Sequence, residues 1–450
     1  MEYVHFFIYC PCVIVAVQWS IYTRPLTNGQ YFVTQASSNS KPSPLECLSG
    51  TKGLKMMGKL ARSGLVLGVI VVVAAGIWWL NQPQPAAPAR ATIVGLSSND
   101  ATKDAITGFA RAYAPRAFSF PLDHGPHLDY QTEWWYYTGN LTDAAGRHFG
   151  YQLTFFRRAL APPAQMPARQ SDLATSQIYF AHFAMTDSSA QQHVSFERFS
   201  RGAGGLAGAN AEPFHVFLED WSTTALNAQG DQVRLKARNG AYQIELNLRA
   251  LKPPVKQGDN GLSTKSTTPG NASYYYSFTR MDTAGILHTP DGEYRVTGSS
   301  WMDHEWSTSA LGLNAQGWDW FALQLSDQRE LMFYQFRNRD GSIDPVSSGT
   351  LVAQDGSSIT LRQDQVKVEV LERWQNPQRT AEYPVRWRIS IPSQNLSLDV
   401  TARLKNQQMD LAIVYWEGTV EVSGQANGAP INGVGYVELT GYSGSLNGRF

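Results

Sequence analysis

From about Arg116 onward the chain consists of short aromatic runs that alternate with polar residues and stop at Gly, Asn or Asp. This feature restricts the fold more than any other. Glu133–Thr142 reads EWWYYTGNLT, Asp143–Gly146 reads DAAG, and His148–Arg158 reads HFGYQLTFFRR. Aromatic and β-branched residues at period two, broken by a turn-forming stretch, predict strand, turn, strand. About fifteen such strands follow, the last over Ile413–Ser423 and Ile431–Leu439, which predicts sandwich or barrel architecture. No helical pattern of about 10–15 residues alternates with them, so a doubly wound α/β fold is excluded. Two stretches break the rhythm: 202–213, rich in Gly and Ala, and 252–272, rich in Pro, Gly, Ser and Thr. Both read as long loops, a common source of lids and rims. Asp104–Ala114 (DAITGFARAYA) has the spacing of one short helix.

The 37 basic and 37 acidic residues cancel. No basic stripe is left to bind nucleic acid. The three cysteines, Cys10, Cys12 and Cys47, all precede the β-rich body. A disulfide framework, a zinc ribbon or a thiol nucleophile is therefore excluded from the body, and its core must hold it together.

Gly64–Leu80 (GLVLGVIVVVAAGIWWL) is an uncharged run of 17 residues. It predicts a single membrane pass ending in an interfacial Trp pair. Lys55, Lys59 and Arg62 precede it and set its cytoplasmic side, which places the bulk in the bacterial periplasm, held by the inner membrane. A cleaved signal peptide is the rival reading, but the apolar run is long for one and Trp-Trp-Leu-Asn-Gln is a poor cleavage site. Residues 1–55 read as a non-native or disordered extension, since Met56 begins a natural start. Residues 56–80 are the anchor, and 81–115 are a Pro/Ala-rich linker.

Five segments carry the chemistry: FPLDHGPHLDYQTEWWYY (120–137), YFAHFAM (179–185), SSWMDHEWS (299–307), GWDWF (317–321), and YWEGTV (415–420) with GYVELTGY (435–442). Strand alternation puts Trp301, Asp303 and Glu305 on one face and Met302, His304 and Trp306 on the other. Glu133, Trp135 and Tyr137 likewise oppose Trp134 and Tyr136. A buried charge is costly unless paired, so carboxylates beside aromatics mark either a polar-tipped ligand pocket or a solvated face. Their recurrence favours the pocket. His124, His127, Glu133, His182 and His304 could in principle ligate a metal. His124 and His127, however, sit in a Gly-Pro loop without helical i, i+4 spacing, so hydrogen-bonded histidines are expected and no metal or other cofactor is. No nucleophile elbow, phosphate loop or dinucleotide fingerprint occurs.

DHGPH…EWWYYTG, SWMDHEW, GWDWF and GYVELTGY, in this order, resemble the lipocalin-like family of hydroxyneurosporene synthase (carotenoid 1,2-hydratase) and the AttH-type bacterial proteins. The likeness covers about Phe118 to Tyr442 and lies closer to the AttH branch. It implies an all-β fold of two consecutive lipocalin-like β-barrel domains, 116–306 and 307–450, behind the N-terminal transmembrane anchor, with an apolar-ligand pocket between or within them. In the AttH branch it also implies linkage to an ABC transporter permease. Two functions are left open. One is an exported, tethered protein binding a lipid or isoprenoid. The alternative is a hydratase adding water to an isolated C=C bond.

Such an addition needs a strong acid, a site that tolerates a tertiary carbocation, and a directed water. An Asp with a raised pKa in an apolar pocket suits the first, and aromatic faces suit the second. Asp303 is the candidate acid, with His304 or Glu133 as the water base. Trp134, Trp135, Trp301 and Trp306 are candidate walls. Tyr137, His124, His127, His182, Glu305, Trp318 and Trp320 complete the expected ligand contacts.

Overall fold

The computed structural model describes residues 107–165, 171, 174–308, 312 and 314–444. The extension 1–55, the run Gly64–Leu80 and most of the linker lie outside them. Among the described residues no helix is long and apolar enough to cross a membrane. The short helix expected over Asp104–Ala114 does not form across 107–114. There the chain is non-regular, with Phe109 and Ala112 buried. Its apolar spacing serves docking rather than a helical face.

The body is all-β and contains two curled sheets. The first consists of β1 Thr132–Asp143, β2 His148–Ala159, β3 Gln177–Asp187, β4 Gln192–Arg201, β5 Ala207–Ala211, β6 Phe214–Leu218, β7 Trp221–Ala225, β8 Gln232–Asn239, β9 Tyr242–Ala250, β10 Val255–Lys256, β11 Leu262–Thr264, β12 Ala272–Thr289 and β13 Gly292–Ser307. Their order is β4-β3-β2-β1-β13-β12-β9-β8-β7-β6-β5, with β10 and β11 on β12. The sheet curls until β6 packs across β2, β3 and β4. Arg198 of β4 then lies over the Trp221 ring, 4.5 Å from its centroid. The two expected loops are partly ordered by pairing, since 202–213 supplies β5 and 252–272 supplies β10 and β11.

The second sheet consists of β14 Ala315–Leu325, β15 Glu330–Asn338, β16 Ser348–Val352, β17 Ser358–Arg362, β18 Lys367–Gln375, β19 Glu382–Ile391, β20 Leu396–Ala402, β21 Gln408–Asp410, β22 Val414–Ala426 and β23 Ala429–Leu439. Its order is β17-β16-β15-β14-β23-β22-β20-β19-β18, with β21 on β22.

Each sheet wraps its own apolar core, one around Trp135, Phe183, Trp221 and Trp306, the other around Phe321, Trp387 and Trp416. A third cluster lies between the sheets and includes Tyr136, Tyr275, Trp301, Trp320, Tyr334 and Tyr436. Hence β1, residues 300–307 of β13, and β14 are buried on both faces, and their aromatic runs are nearly continuous. The approach is close enough that a Cβ at Gly150 of β2 would lie 2.7 Å from the Thr419 side chain of β22.

A buried ion cluster fastens the two sheets. Glu330 of β15 meets Lys252 Nζ at 2.7 Å and Arg280 Nε of β12 at 2.6 Å. Lys252 also donates to the Gln328 and Ala353 carbonyls. Breaking a buried pair from one side strands the remaining charge. Glu330→Ala strands two cations and is expected to lower stability by about 3 kcal/mol or more in urea denaturation. A loss below about 1 kcal/mol would show that the cluster behaves as a surface pair.

Candidate active site

The facing walls of the two sheets enclose a cavity of about 150 Å³. Pleating builds the first wall in rows. Trp134 of β1 pairs with Phe156 of β2 on one side and Glu305 of β13 on the other, and Glu305 pairs with Tyr275 of β12. One step along, Tyr136 pairs with Thr154 and Asp303, and Asp303 with Ser277. On the second wall Trp320 of β14 pairs with Tyr334 of β15 and Glu438 of β23, and Glu438 with Glu417 of β22. Trp318, Phe336, His182, Tyr415 and Lys265 complete the lining used below.

Asp303 is buried and accepts three hydrogen bonds. Ser277 Oγ and Trp301 Nε1 donate to Oδ1 at 2.5 and 2.6 Å, and the Tyr275 hydroxyl donates to Oδ2 at 2.5 Å. The Trp320 indole N–H donates to the Tyr275 oxygen at 3.2 Å. Removal from water pushes the Asp303 carboxyl up to about 7, against the three donors, and the nearby Glu305 charge adds to the rise. This acid keeps its proton near neutrality, and three donors are ready to receive the carboxylate it leaves. Glu305 is held differently, by an ion pair to Lys265 Nζ at 2.6 Å and a hydrogen bond from Ser273. His182 Nδ1 lies 2.7 Å from the Tyr415 hydroxyl, and burial pushes the imidazole down to about 3, so it is neutral.

Six of the residues singled out in the sequence line this cavity: Trp134, His182, Asp303, Glu305, Trp318 and Trp320. Trp301 stands behind it as a donor to Asp303. The others point into the first barrel. Trp135, Tyr137 and Trp306 belong to its core. Glu133, His304 and His127 form a polar cluster there, and neither Glu133 nor His304 reaches the Asp303 side of the sheet. Pairing either with Asp303 as a water base is therefore corrected, because strand alternation sends neighbouring positions to opposite faces.

That cluster is fully partnered. Glu133 accepts from His127 Nδ1 at 2.7 Å, His304 Nε2 at 2.9 Å and Arg157 Nε at 2.8 Å. His127 Nε2 reaches Asp123 at 3.1 Å, and its ring stacks on Trp306 at 3.7 Å. Burial opposes the charge on His127, but Glu133 and Asp123 outweigh it and raise its pKa. Burial would raise Glu133, yet Arg157 and His127 carry it far below the usual carboxylate range. His124 lies beside this cluster with Nδ1 2.6 Å from the Tyr276 hydroxyl. Ligand atoms of His127, Glu133 and His304 lie within 4.8 Å of one another, so these three could hold a metal ion. Both ring nitrogens of His127 are already engaged by Glu133 and Asp123, and Arg157 already occupies Glu133, so the donor set fits an ion poorly.

The two curled sheets with a buried cavity between them define a lipocalin-like protein of two barrel-like halves. Residues 111–442 match the family model described as AttH-like, and the chain belongs to that family. The solved structure described as AttH of Nitrosomonas europaea is 32% identical, with a TM-score of 0.66, covering 74% of this chain and 99% of its own. Kievitone hydratase of Nectria haematococca is 12% identical, with a TM-score of 0.57, covering 75% of this chain and 98% of its own. At that identity the likeness is one of fold. No curated protein matches the chain.

The raised Asp303 pKa ties stability to pH. In the unfolded chain an Asp titrates near 4, but the folded one holds its proton to about 7. Between these values the folded state binds more protons, so this group's contribution to stability falls as pH rises from about 4 to 7 and is level above. From pH 4 to pH 8 the stability of Asp303→Asn relative to wild type should therefore shift in the variant's favour. The expected size is up to a few kcal/mol, at about 1.4 kcal/mol per unit of pKa difference. Urea denaturation at the two pH values checks this, and an unchanged difference would show that Asp303 titrates as in water.

Proposed function

We propose that this protein adds water to an isolated C=C bond of an isoprenoid-type substrate, with Asp303 as the acid. The observation that carries this reading is the buried Asp303 carboxyl, pushed up to about 7, facing an aromatic-walled cavity between the two sheets. Protonating an unactivated alkene is uphill because it leaves a carbocation. The faces of Trp134, Tyr136, Trp318 and Trp320 offer negative quadrupole potential to that cation. Ser277, Tyr275 and Trp301 stabilise the carboxylate formed as the proton leaves.

The cavity volume narrows the substrate. About 150 Å³ is the size of an engineered protein cavity that accepts one benzene. A branched five-carbon end group fits it, and the rest of a longer chain lies outside. The reacting bond then belongs to a terminal isoprenyl group.

A plain carrier would have little use for this lining. An inert apolar ligand is held as well by Leu or Phe, without the cost of desolvating acids. The run Gly64–Leu80 supports tethering to the inner membrane with the site on the exported side, near lipid-dissolved substrates. Protease treatment of spheroplasts should digest the chain, and full protection would overturn that placement.

The catalytic reading is tested with squalene, farnesol and geranylgeraniol in ¹⁸O-labelled water. A tertiary alcohol carrying the label is expected from the wild type. Asp303→Asn should lower turnover by about 10²- to 10⁴-fold while tryptophan quenching shows binding retained. Turnover unaffected by Asp303→Asn would sink the assignment, and binding without labelled product from the wild type would favour the carrier.

A further inference from the structure

The acid step leaves two carboxyls of the cavity unused, Glu417 fully buried and Glu438 partly so. Glu417 and Glu438 are directly opposite each other on β22 and β23, and both line the wall facing Asp303. Glu417 Oε2 accepts from the Tyr136 hydroxyl at 3.1 Å, and Glu438 Oε1 from Trp318 Nε1 at 2.5 Å. Glu417 Oε1 is buried without a hydrogen-bond donor among the described residues. Among the described residues neither carboxyl has an ion-pair partner, and Lys265, which also lines this cavity, is paired with Glu305. Two adjacent carboxylates taken out of water with no cation cannot both ionise, so the pair holds at least one proton. Burial pushes Glu438 up to about 7 and Glu417 well above its ordinary value. The orphaned Oε1 gives an ionised Glu417 no compensating donor, which favours its neutral form.

We propose that Glu417 and Glu438 work as a carboxyl–carboxylate pair that takes the proton of the attacking water, opposite the acid Asp303. This rests on the hydration reading above. In the forward step the alkene π pair takes the Asp303 proton and forms a C–H bond, leaving the neighbouring carbon cationic. A water lone pair forms the C–O bond to that carbon, and the water's proton passes to the free carboxylate of the pair. The products are a tertiary alcohol, an Asp303 carboxylate and a doubly protonated pair. Return of one proton to Asp303 through water, as product leaves, restores the site with no net change of charge. The other candidates suit the base role less well. Glu305 is tied up by Lys265, and His182, with a pKa near 3, is a far weaker base than a carboxyl near 7.

The assignment predicts a bell-shaped kcat profile. Protonation of the pair sets the low-pH limb, and ionisation of Asp303 sets the high-pH limb. Glu438→Gln and Glu417→Gln, close in shape to the native side chains, are measured with the alkene that the wild type hydrates. Both should lower kcat about 100-fold with KM little changed, and Glu438→Gln should abolish the low-pH limb. Infrared difference titration of the ligand-free full chain gives a readout independent of turnover. Of the protonated-carboxyl bands titrating near neutrality, the one from Asp303 should vanish in Asp303→Asn, and another should persist there and be lost or displaced in both glutamine variants. If the glutamine variants keep kcat and the low-pH limb while Asp303→Asn is dead, the pair is not the base and the acid reading stands. If Asp303→Asn is as active as wild type, the hydration reading falls and the base assignment falls with it. If the band that persists in Asp303→Asn is unmoved by either glutamine substitution, proton sharing by the pair is overturned, whatever the kinetics show.

Discussion

A carboxyl group removed from water keeps its charge where cations or enough donors replace the lost hydration, and otherwise keeps its proton. The chemistry of this molecule depends on that choice. Asp303, Glu417 and Glu438 lie in the seam between two sheets, and among the described residues no basic side chain is paired with them. They are therefore pushed toward the neutral acid, although the surrounding hydroxyl and indole donors favour the ion. Glu305 is in the same cavity and has Lys265 at 2.6 Å, so it is held as one half of an ion pair. A single cavity thus contains carboxyls in two conditions, set by where one lysine ends.

The first barrel makes the opposite choice on the other face of the same strands. Glu133 is as buried as Asp303, but it receives Arg157, His127 and His304 and stays ionised. Arg157 also donates to the His127 and Tyr130 carbonyls. The network therefore pins the segment before β1 into the end of the barrel. Fully paired charges of this kind specify one arrangement and leave no group free to exchange a proton with a ligand. Adjacent residues of β1, Glu133 and Trp134, thus serve different ends, the first fixing the barrel and the second facing the cavity.

This split explains what could be read from sequence. The period-two pattern gave the class of fold and placed Trp301, Asp303 and Glu305 on one face, as they are found. It could not tell which face looks toward the second sheet, because both faces of β1 and β13 are buried and aromatic. Hence the pattern points to Tyr137 where Tyr136 lines the cavity, and to Glu133 and His304 as partners of Asp303 across a sheet that separates them. Glu417 and Glu438 carried a usable signal. Each is a lone carboxylate inside an aromatic strand, YWEGTV and GYVELTGY, as Asp303 and Glu305 are carboxylates among the aromatics of SWMDHEW. Their pairing depends on register between β22 and β23, which no local pattern encodes. Lys265 was hidden for another reason, since it comes from the Pro/Gly/Ser/Thr-rich stretch that composition marks as a loop.

Placing the site between the barrels has a mechanical consequence. Barrel interiors of this size are filled by their own side chains, here Trp135, Trp221 and Trp306 in one and Trp387 and Trp416 in the other. A cavity at the seam takes its two walls from separate, densely hydrogen-bonded sheets, and each wall can hold a functional group without disturbing the packing of the other. Addition across a double bond needs that arrangement, with a proton arriving from one side and water held by a different group. The distance between the walls is fixed by Lys252, Arg280 and Glu330, and by Asn140, which donates to the Gly435 carbonyl at 3.0 Å. These contacts lie outside the cavity lining. The spacing of acid and base is thus set by residues that never meet the substrate, and a change at the seam would alter reactivity while leaving every cavity residue in place.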